Sequence, residues 1–362
     1  MARVANFTAG PAALPTAVLE EAQRELLDFQ GTGMSIMENS HRSKTYEAVH
    51  NEAIALLKEL LAVPDGYQVL FMQGGASHQF AMIPMNFLPA GKSADYVISG
   101  HWAERALSEA QIVGKARIAG STKTSNFTRV PNAGELELDP QAAYVHVTSN
   151  NTIYGTEMFE EPATGSVPLI ADMSSDFLAR RLDVKKYGMI YAGAQKNIGP
   201  SGVLVAIVRQ DLVDGGRKDI PEIFRYATFA KNNSLFNTPP TFAIYLVRNV
   251  LRWVKAQGGL EKIEATNHGK AKNLYGAIDG SDGYYRGPVE KGSRSIMNVV
   301  WRLPSEALEE TFIKNAEKAG LVGLKGHRSV GGIRASIYNA VSAADVQKLV
   351  DFMADFKKSN PA

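Results

Sequence analysis

The chain has 362 residues, 45% of them hydrophobic and 21% charged, which suits an ordinary soluble globular protein of about two domains. Lys plus Arg (39) nearly balance Asp plus Glu (37), for a net charge of +2, so there is no electrostatic footprint for nucleic acid or an anionic membrane. There is no cysteine, which excludes disulfides, thiolate metal sites and cysteine nucleophiles, and no residue is put forward as a metal ligand.

The opening MARVANFTAGPAALP has no long apolar core after Arg3, so it does not read as a signal peptide. No stretch approaches the ~18 uninterrupted apolar residues of a membrane span, and a cytoplasmic enzyme is expected. Residues 16–29 and 44–62 place apolar side chains three and four apart, as amphipathic helices do. Short apolar runs follow: QVLFM (68–72), DYVIS (95–99), AAYVHV (142–147), VPLIADM (167–173), GMIYAGA (188–194) and GVLVAIV (202–208). Strands buried on both faces read as continuous apolar runs, and interleaved helices imply crossovers between parallel strands. The first part is therefore an α/β domain with a mainly parallel sheet. A helix is expected from Pro239 to about Ala256, opened by a Pro pair, and another from Glu261 to about Ala277. Then the texture changes: a strand in SIMNVVWRL (295–303), a helix from Ser305 to Ala319, a strand near Gly332–Tyr338, and a helix from Ser342 to Lys358 that Ser342 can cap. This is a smaller α+β domain. The expected division is 16–264 against 1–15 with 265–362.

In an open α/β sheet, ligands sit beyond the carboxyl ends of the strands. After QVLFM comes Gln73-Gly74-Gly75-Ala76-Ser77-His78, whose small residues let backbone N–H groups approach a phosphate, although a plain tight turn needs the same glycines. After VPLIA comes Asp172, costly at a buried strand tip unless it has a cation or hydrogen bonds, and otherwise a common turn residue. After GMIYAGA comes Gln195-Lys196-Asn197. A desolvated lysine amine has a lowered pKa and can form a Schiff base with an aldehyde, while a plain loop lysine is the simpler reading. The combination is more telling. Pyridoxal phosphate needs a lysine for its aldehyde, a carboxylate for its pyridinium nitrogen and an anion-binding backbone for its phosphate. Trp102, in His101-Trp102 after a fourth strand, supplies an aromatic face that can stack on a ring or simply fill the core. Two His-Arg pairs, 41–42 and 327–328, use four of the basic residues in settings of small neighbours, where the Arg fork suits phosphate or carboxylate.

The segments ADMSS (171–175) and AGAQKNIGPSG (192–202) resemble the class V group of fold-type I pyridoxal-phosphate enzymes. Nearly end to end, the chain resembles the phosphoserine aminotransferase family within that group, through NFTAGPAALP (6–15), SHRSK (40–44), QGGASHQF (73–80), SLFNTPPTF (234–242) and LKGHRSVGGIRASIYNA (324–340). The resemblance implies a homodimer with shared active sites that moves an amino group between glutamate and 3-phosphohydroxypyruvate, giving 2-oxoglutarate and O-phospho-L-serine for serine biosynthesis. It also suggests use of 3-hydroxy-2-oxo-4-phosphonooxybutanoate in pyridoxine synthesis. By the same resemblance Lys196 would bond the cofactor aldehyde, Asp172 would pair with the ring nitrogen, Trp102 would stack on the ring and Thr152 would bond the phenolic oxygen. Ala76, Ser77 and Gln195 would hold the cofactor phosphate, with Asn237 and Thr238 reaching it from the second subunit. Arg334 would grip the substrate α-carboxylate. His41 and Arg42 of the second subunit would join His327 and Arg328 around the distal anion. Some members carry Gly-Arg where this chain has Ala76-Ser77, and Ser where it has Ala9; the first change removes a cation, for which His78 is a candidate substitute. Alanine– or serine–glyoxylate aminotransferases are the alternative within the class, but their substrates lack a distal phosphate. Cysteine desulfurases need a cysteine. A non-enzymatic α/β ligand-binding protein, with Lys196 merely structural, is the remaining alternative.

Overall fold

The computed structural model describes residues 3–361. Met1, Ala2 and Ala362, which the expected small domain includes, lie outside the described residues. A two-residue strand β1 (Ala5–Asn6) is followed by helices α1 (Thr16–Arg24) and α2 (Lys44–Leu60). Strand β2 (Tyr67–Gln73) then leads into α3 (Ala76–Phe87), β3 (Ser93–Ile98) into α4 (His101–Val113), and β4 (Lys115–Ser121) follows. Next come β5 (Val145–Thr148), the short pair β6 (Asn150–Asn151) and β7 (Thr156–Glu157), β8 (Leu169–Asp172), β9 (Met189–Gly193) and β10 (Val203–Arg209). Two short helices, α5 (Gln210–Gly215) and α6 (Tyr226–Lys231), precede the long α7 (Thr241–Ala256) and α8 (Gly259–Asp279). The chain finishes with β11 (Asn298–Trp301), α9 (Glu306–Lys318), β12 (Leu321–Val322), β13 (Ile333–Ser336) and α10 (Ala343–Ser359).

The central sheet has seven strands in the order β2-β10-β9-β8-β5-β3-β4. All neighbours are parallel except β10, which runs antiparallel to both β2 and β9. The expected mainly parallel α/β sheet is therefore present. Side-chain alternation fills a layer on each face: Val205 and Ile207 enter one apolar core, Leu204 and Ala206 the other. A third core gathers Phe7, Trp301, Phe312 and Met353 around the antiparallel pair β11–β13, with β1 lying parallel to β12. Helix α8 gives Leu260 and Ile263 to one core and Leu274 and Ile278 to another. The expected division at 264/265 thus falls inside a continuous helix.

Caps follow the sequence where a side chain can supply them: Ser43, Ser305 and Ser342 each accept a first-turn N–H. The helix expected over 16–29 stops at Arg24. Gly31 and Gly33 beyond it have left-handed φ angles of 79° and 71°. Asp28 accepts the Gly33 N–H at 2.7 Å, so the local hydrogen bonds favour a turn over helix continuation. The strand expected over 142–147 begins at Val145, because Ala142 closes a turn onto the Asp139 carbonyl.

Candidate active site

Strands β2, β3, β5, β8 and β9 all run the same way, so the residues after each of them meet at one edge of the sheet. They enclose a cavity of about 450 Å³. Lys196 lies in the turn that follows β9. Its Nζ is 6.0 Å from the centre of the Trp102 ring. Burial pulls its pKa down, while the charges of Asp172 and Asp176 pull it back up, and it makes no side-chain hydrogen bond among the described residues.

Asp172 ends β8 and is almost fully buried. Its Oδ1 accepts the Ser174 N–H at 2.9 Å and the Ser174 hydroxyl at 2.6 Å, and Oδ2 takes no donor among the described residues. Burial raises its pKa; the Lys196 charge and the Ser174 bonds oppose that. Ser174 Oγ also accepts the Gly193 N–H at 3.0 Å, tying the ends of β8 and β9 together. Helix α3 starts at Ala76, with Gly75 at its N-cap. Ala76 and Ser77 therefore belong to its first turn, whose free N–H groups favour an anion. A Cβ on Gly193 would stand 3.4 Å from the Ala76 nitrogen, so the glycine keeps that approach open. Trp102, in the first turn of α4, donates from Nε1 to the Thr152 hydroxyl at 3.2 Å, which holds the indole across the cavity from Lys196.

From the smaller lobe, Arg334 on β13 donates from Nη1 to the Thr152 carbonyl at 2.9 Å, and its buried Nε has no partner among the described residues. Gln195 and His327 also line the cavity. His327 Nδ1 lies 2.7 Å from Ser329 Oγ. His78 turns back on its own helix start, with Gly75 N–H pointing to Nδ1 at 3.3 Å.

The cavity of this chain thus brings together Ala76, Ser77, Trp102, Thr152, Asp172, Gln195, Lys196, His327 and Arg334 of the expected set. It does not bring in Arg328, His41, Arg42, Asn237 or Thr238. Arg42 donates from Nε to His41 Nε2 at 3.4 Å. The Thr238 carbonyl accepts from Gln73 at 2.8 Å, and the buried Asn237 Oδ1 has no partner among the described residues. Sequence reasoning gave no role to Ser174 or Asn150. Ser174 sat inside the quoted ADMSS run, whose small polar residues after an acid were a usable signal. Asn150 donates to Asn298 Oδ1 at 2.7 Å and accepts from Ser295 at 2.6 Å, joining the sheet edge to β11, and nothing local in the sequence marks it.

The donor set fits pyridoxal phosphate: an amine without a hydrogen-bond partner, a buried carboxylate with one free oxygen, a helix start facing open space and an indole face. The comparisons agree. The chain matches the aminotransferase class-V family over residues 4–349. It is 57% identical to a phosphoserine aminotransferase of Niallia circulans over 99% of both chains. The solved phosphoserine aminotransferase from Bacillus circulans subsp. alkalophilus superposes with a TM-score of 0.97 at 57% identity, again over 99% of both chains. A phosphoserine aminotransferase from Trichomonas vaginalis, solved with the cofactor bound, superposes with a TM-score of 0.93 at 37% identity over 97% of this chain and 100% of that one.

Proposed function

This chain belongs to the aminotransferase class-V family, and from that premise we propose that it passes an amino group between glutamate and 3-phosphohydroxypyruvate, giving 2-oxoglutarate and O-phospho-L-serine. The observation that carries this reading is the meeting of Lys196, Asp172, the α3 start and Arg334 on one cavity. Bound pyridoxal phosphate supplies an aldehyde for the amino group and a protonated ring that withdraws electrons from the substrate α-carbon. The residues do the rest. Asp172 holds a proton on the ring nitrogen, and Ser174 keeps that carboxylate charged and aimed. Trp102 fixes the ring plane, while the Thr152 hydroxyl, already accepting from Trp102, turns its own hydrogen toward the phenolic oxygen. The α3 N–H groups, Ser77 and Gln195 hold the phosphate. The remaining N–H groups of Arg334 grip the α-carboxylate and present the α-hydrogen to Lys196, which moves the proton.

A second copy of the chain completes the site. Its Asn237 and Thr238 reach the cofactor phosphate, and its His41 and Arg42 join His327 and Arg328 around the substrate's distal anion. The large unit of residues 16–264 carries the cofactor side; residues 1–15 with 265–362 bring Arg334. The reaction belongs in the cytoplasm, and no helix among the described residues is long and apolar enough to cross a membrane. The pocket for a distal phosphate also suits 3-hydroxy-2-oxo-4-phosphonooxybutanoate, giving 4-phosphohydroxythreonine.

The test is direct. Purified protein is expected to be yellow, to bleach with borohydride and to form glutamate from O-phosphoserine and 2-oxoglutarate. A colourless protein, or one equally active with alanine and phosphoserine, overturns the reading.

A further inference from the structure

His101 has no role in the site as described so far, yet its position is specific. It opens the 13-residue helix α4 behind the cap residue Gly100, so its backbone lies where a helix favours negative charge. Its ring meets the edge of Trp102 at 5.3 Å between centres and faces the His327 ring at 6.5 Å, tilted by 34°. His101 comes from the sheet-edge lobe and His327 from the loop before β13, so the two imidazoles oppose each other across the seam between lobes. His327 gives Nδ1 to Ser329, leaving Nε2 for a ligand. His101 makes no side-chain hydrogen bond among the described residues. The charges of Arg334 and Arg328 both act on His327. No carboxylate lies within ion-pair distance of any of these four groups among the described residues. Glu104, one turn along α4, is already paired with Lys123 at 2.8 Å. Two imidazoles thus face each other where the charges of Arg328 and Arg334 are felt, with no acid among the described residues in ion-pair reach of them.

We propose that His101 is a specificity-determining residue that helps the site tell a phosphate dianion from a carboxylate. This rests on the transamination reading above and adds a residue to its distal pocket. Glutamate presents a distal carboxylate with one negative charge; a phosphate monoester carries close to two at neutral pH. Burial, and then Arg334, His101 and Arg328, hold the His327 pKa below its ordinary value, which leaves His327 able to take up a proton when an anion arrives. A dianion offsets the arginines and draws a proton onto His327, and His101 opposite it adds a second ring for the anion to meet, turning a weak contact into a charge-assisted one. A carboxylate draws less. Phosphoserine binding is therefore linked to proton uptake, and glutamate binding is linked more weakly.

The experiment uses the dimer loaded with cofactor, in wild-type form and as His101→Gln and His101→Phe. The loss of a charge-assisted contact predicts that kcat/KM for phosphoserine falls about tenfold and for glutamate clearly less. Calorimetry of inorganic phosphate binding, in two buffers of different ionisation enthalpy, is expected to show proton uptake in the wild type that shrinks in both variants; a structural role for the ring does not move that quantity. Equal losses for the two substrates, or unchanged proton uptake, overturn the inference. A wild-type enzyme with no preference for phosphoserine would instead overturn the proposed function, so the two failures are distinct.

Discussion

Lys196 and Lys270 are both shielded from bulk solvent, and their surroundings separate the proposed reagent from a fastener. Lys270, on α8, is 2% exposed and donates to three carbonyls: Ile337 at 2.8 Å, Tyr338 at 2.8 Å and Val341 at 3.0 Å. All three of its N–H groups are used, and they knot the 337–341 segment to the helix. Lys196 faces a cavity and donates no side-chain hydrogen bond among the described residues. Burial works against the charge on both. What differs is the partner: three fixed carbonyls immobilise the Lys270 nitrogen, whereas the cavity leaves the Lys196 amine free to reach a ligand. Burial alone is no guide to chemistry. A buried polar group with all its hydrogen bonds made is structural, and one left unmade at the wall of a cavity is placed to meet a ligand.

The sharpest way to break this comparison is to remove each amine. Lys196→Ala is expected to lose at least about a thousandfold in kcat, since both nucleophile and proton carrier go, while its melting temperature stays near that of the wild type without cofactor. Steady-state transamination and thermal melts of both proteins test this; retained turnover ends the reagent assignment. Asp172→Asn keeps the shape and the Ser174 contacts but removes the charge, so kcat should fall roughly a hundred- to a thousandfold. Near-normal turnover would mean that the ring nitrogen needs no carboxylate here.

Smaller effects separate the two anion grips. Arg334→Ala should lower kcat/KM for phosphoserine, glutamate and alanine alike, because each presents an α-carboxylate. Arg42→Ala and Arg328→Ala should cost about ten- to a hundredfold for phosphoserine and glutamate but little for alanine. Equal damage to alanine would make the His-Arg pairs structural. Lys270→Met is the counterpart of the first test. It takes a donor from three buried carbonyls, of which Tyr338 keeps the Val341 N–H at 2.9 Å, for a destabilisation of about 2–4 kcal/mol. Turnover per folded, cofactor-saturated chain should stay within about twofold, since no contact to the reacting atoms is lost. A lysine that proved dispensable for stability would contradict the reading of its three bonds.

The smallest effect concerns pH. Glu157 is fully buried; its Oε2 accepts the Ile296 N–H at 2.8 Å, and Arg180 Nε lies 3.7 Å from Oε1. Burial first, then the neighbouring Asp176, push its pKa up to about 8. A folded-state value above the unfolded one means that the native state binds the extra proton. The group's contribution is thus complete below the ordinary carboxylate value near 4.5 and fades as pH rises toward 8. Glu157→Gln, which keeps an acceptor for Ile296, should flatten the fall in melting temperature between pH 5 and 8. An unchanged slope would assign that fall to other groups.

Much of the fold was legible along the chain because the signals are local. Apolar runs such as GVLVAIV ended up inside the sheet, Ser342 capped its helix, and a lysine and an aspartate at the ends of such runs pointed to the sheet edge where ligands bind. Asp172, Lys196 and the Gly-Gly turn are far apart in sequence, yet each is marked by the strand before it, so their convergence follows from the parallel order of β2, β8 and β9.

Other features have no local signature. Lys270 sits in TNHGKAKN, a stretch that reads as a solvated helix face, and only the return of residues 337–341 over α8 turns it into a buried clasp. Ser174, Asn150 and Glu157 acquire their roles from partners 19, 148 and 139 residues away. The His101–His327 apposition exists only because two lobes meet. The physical reason is the same in each case. Hydrophobic periodicity and capping act over a few residues and can be read from a string, whereas the satisfaction of a buried charge or donor depends on which distant backbone folds back against it.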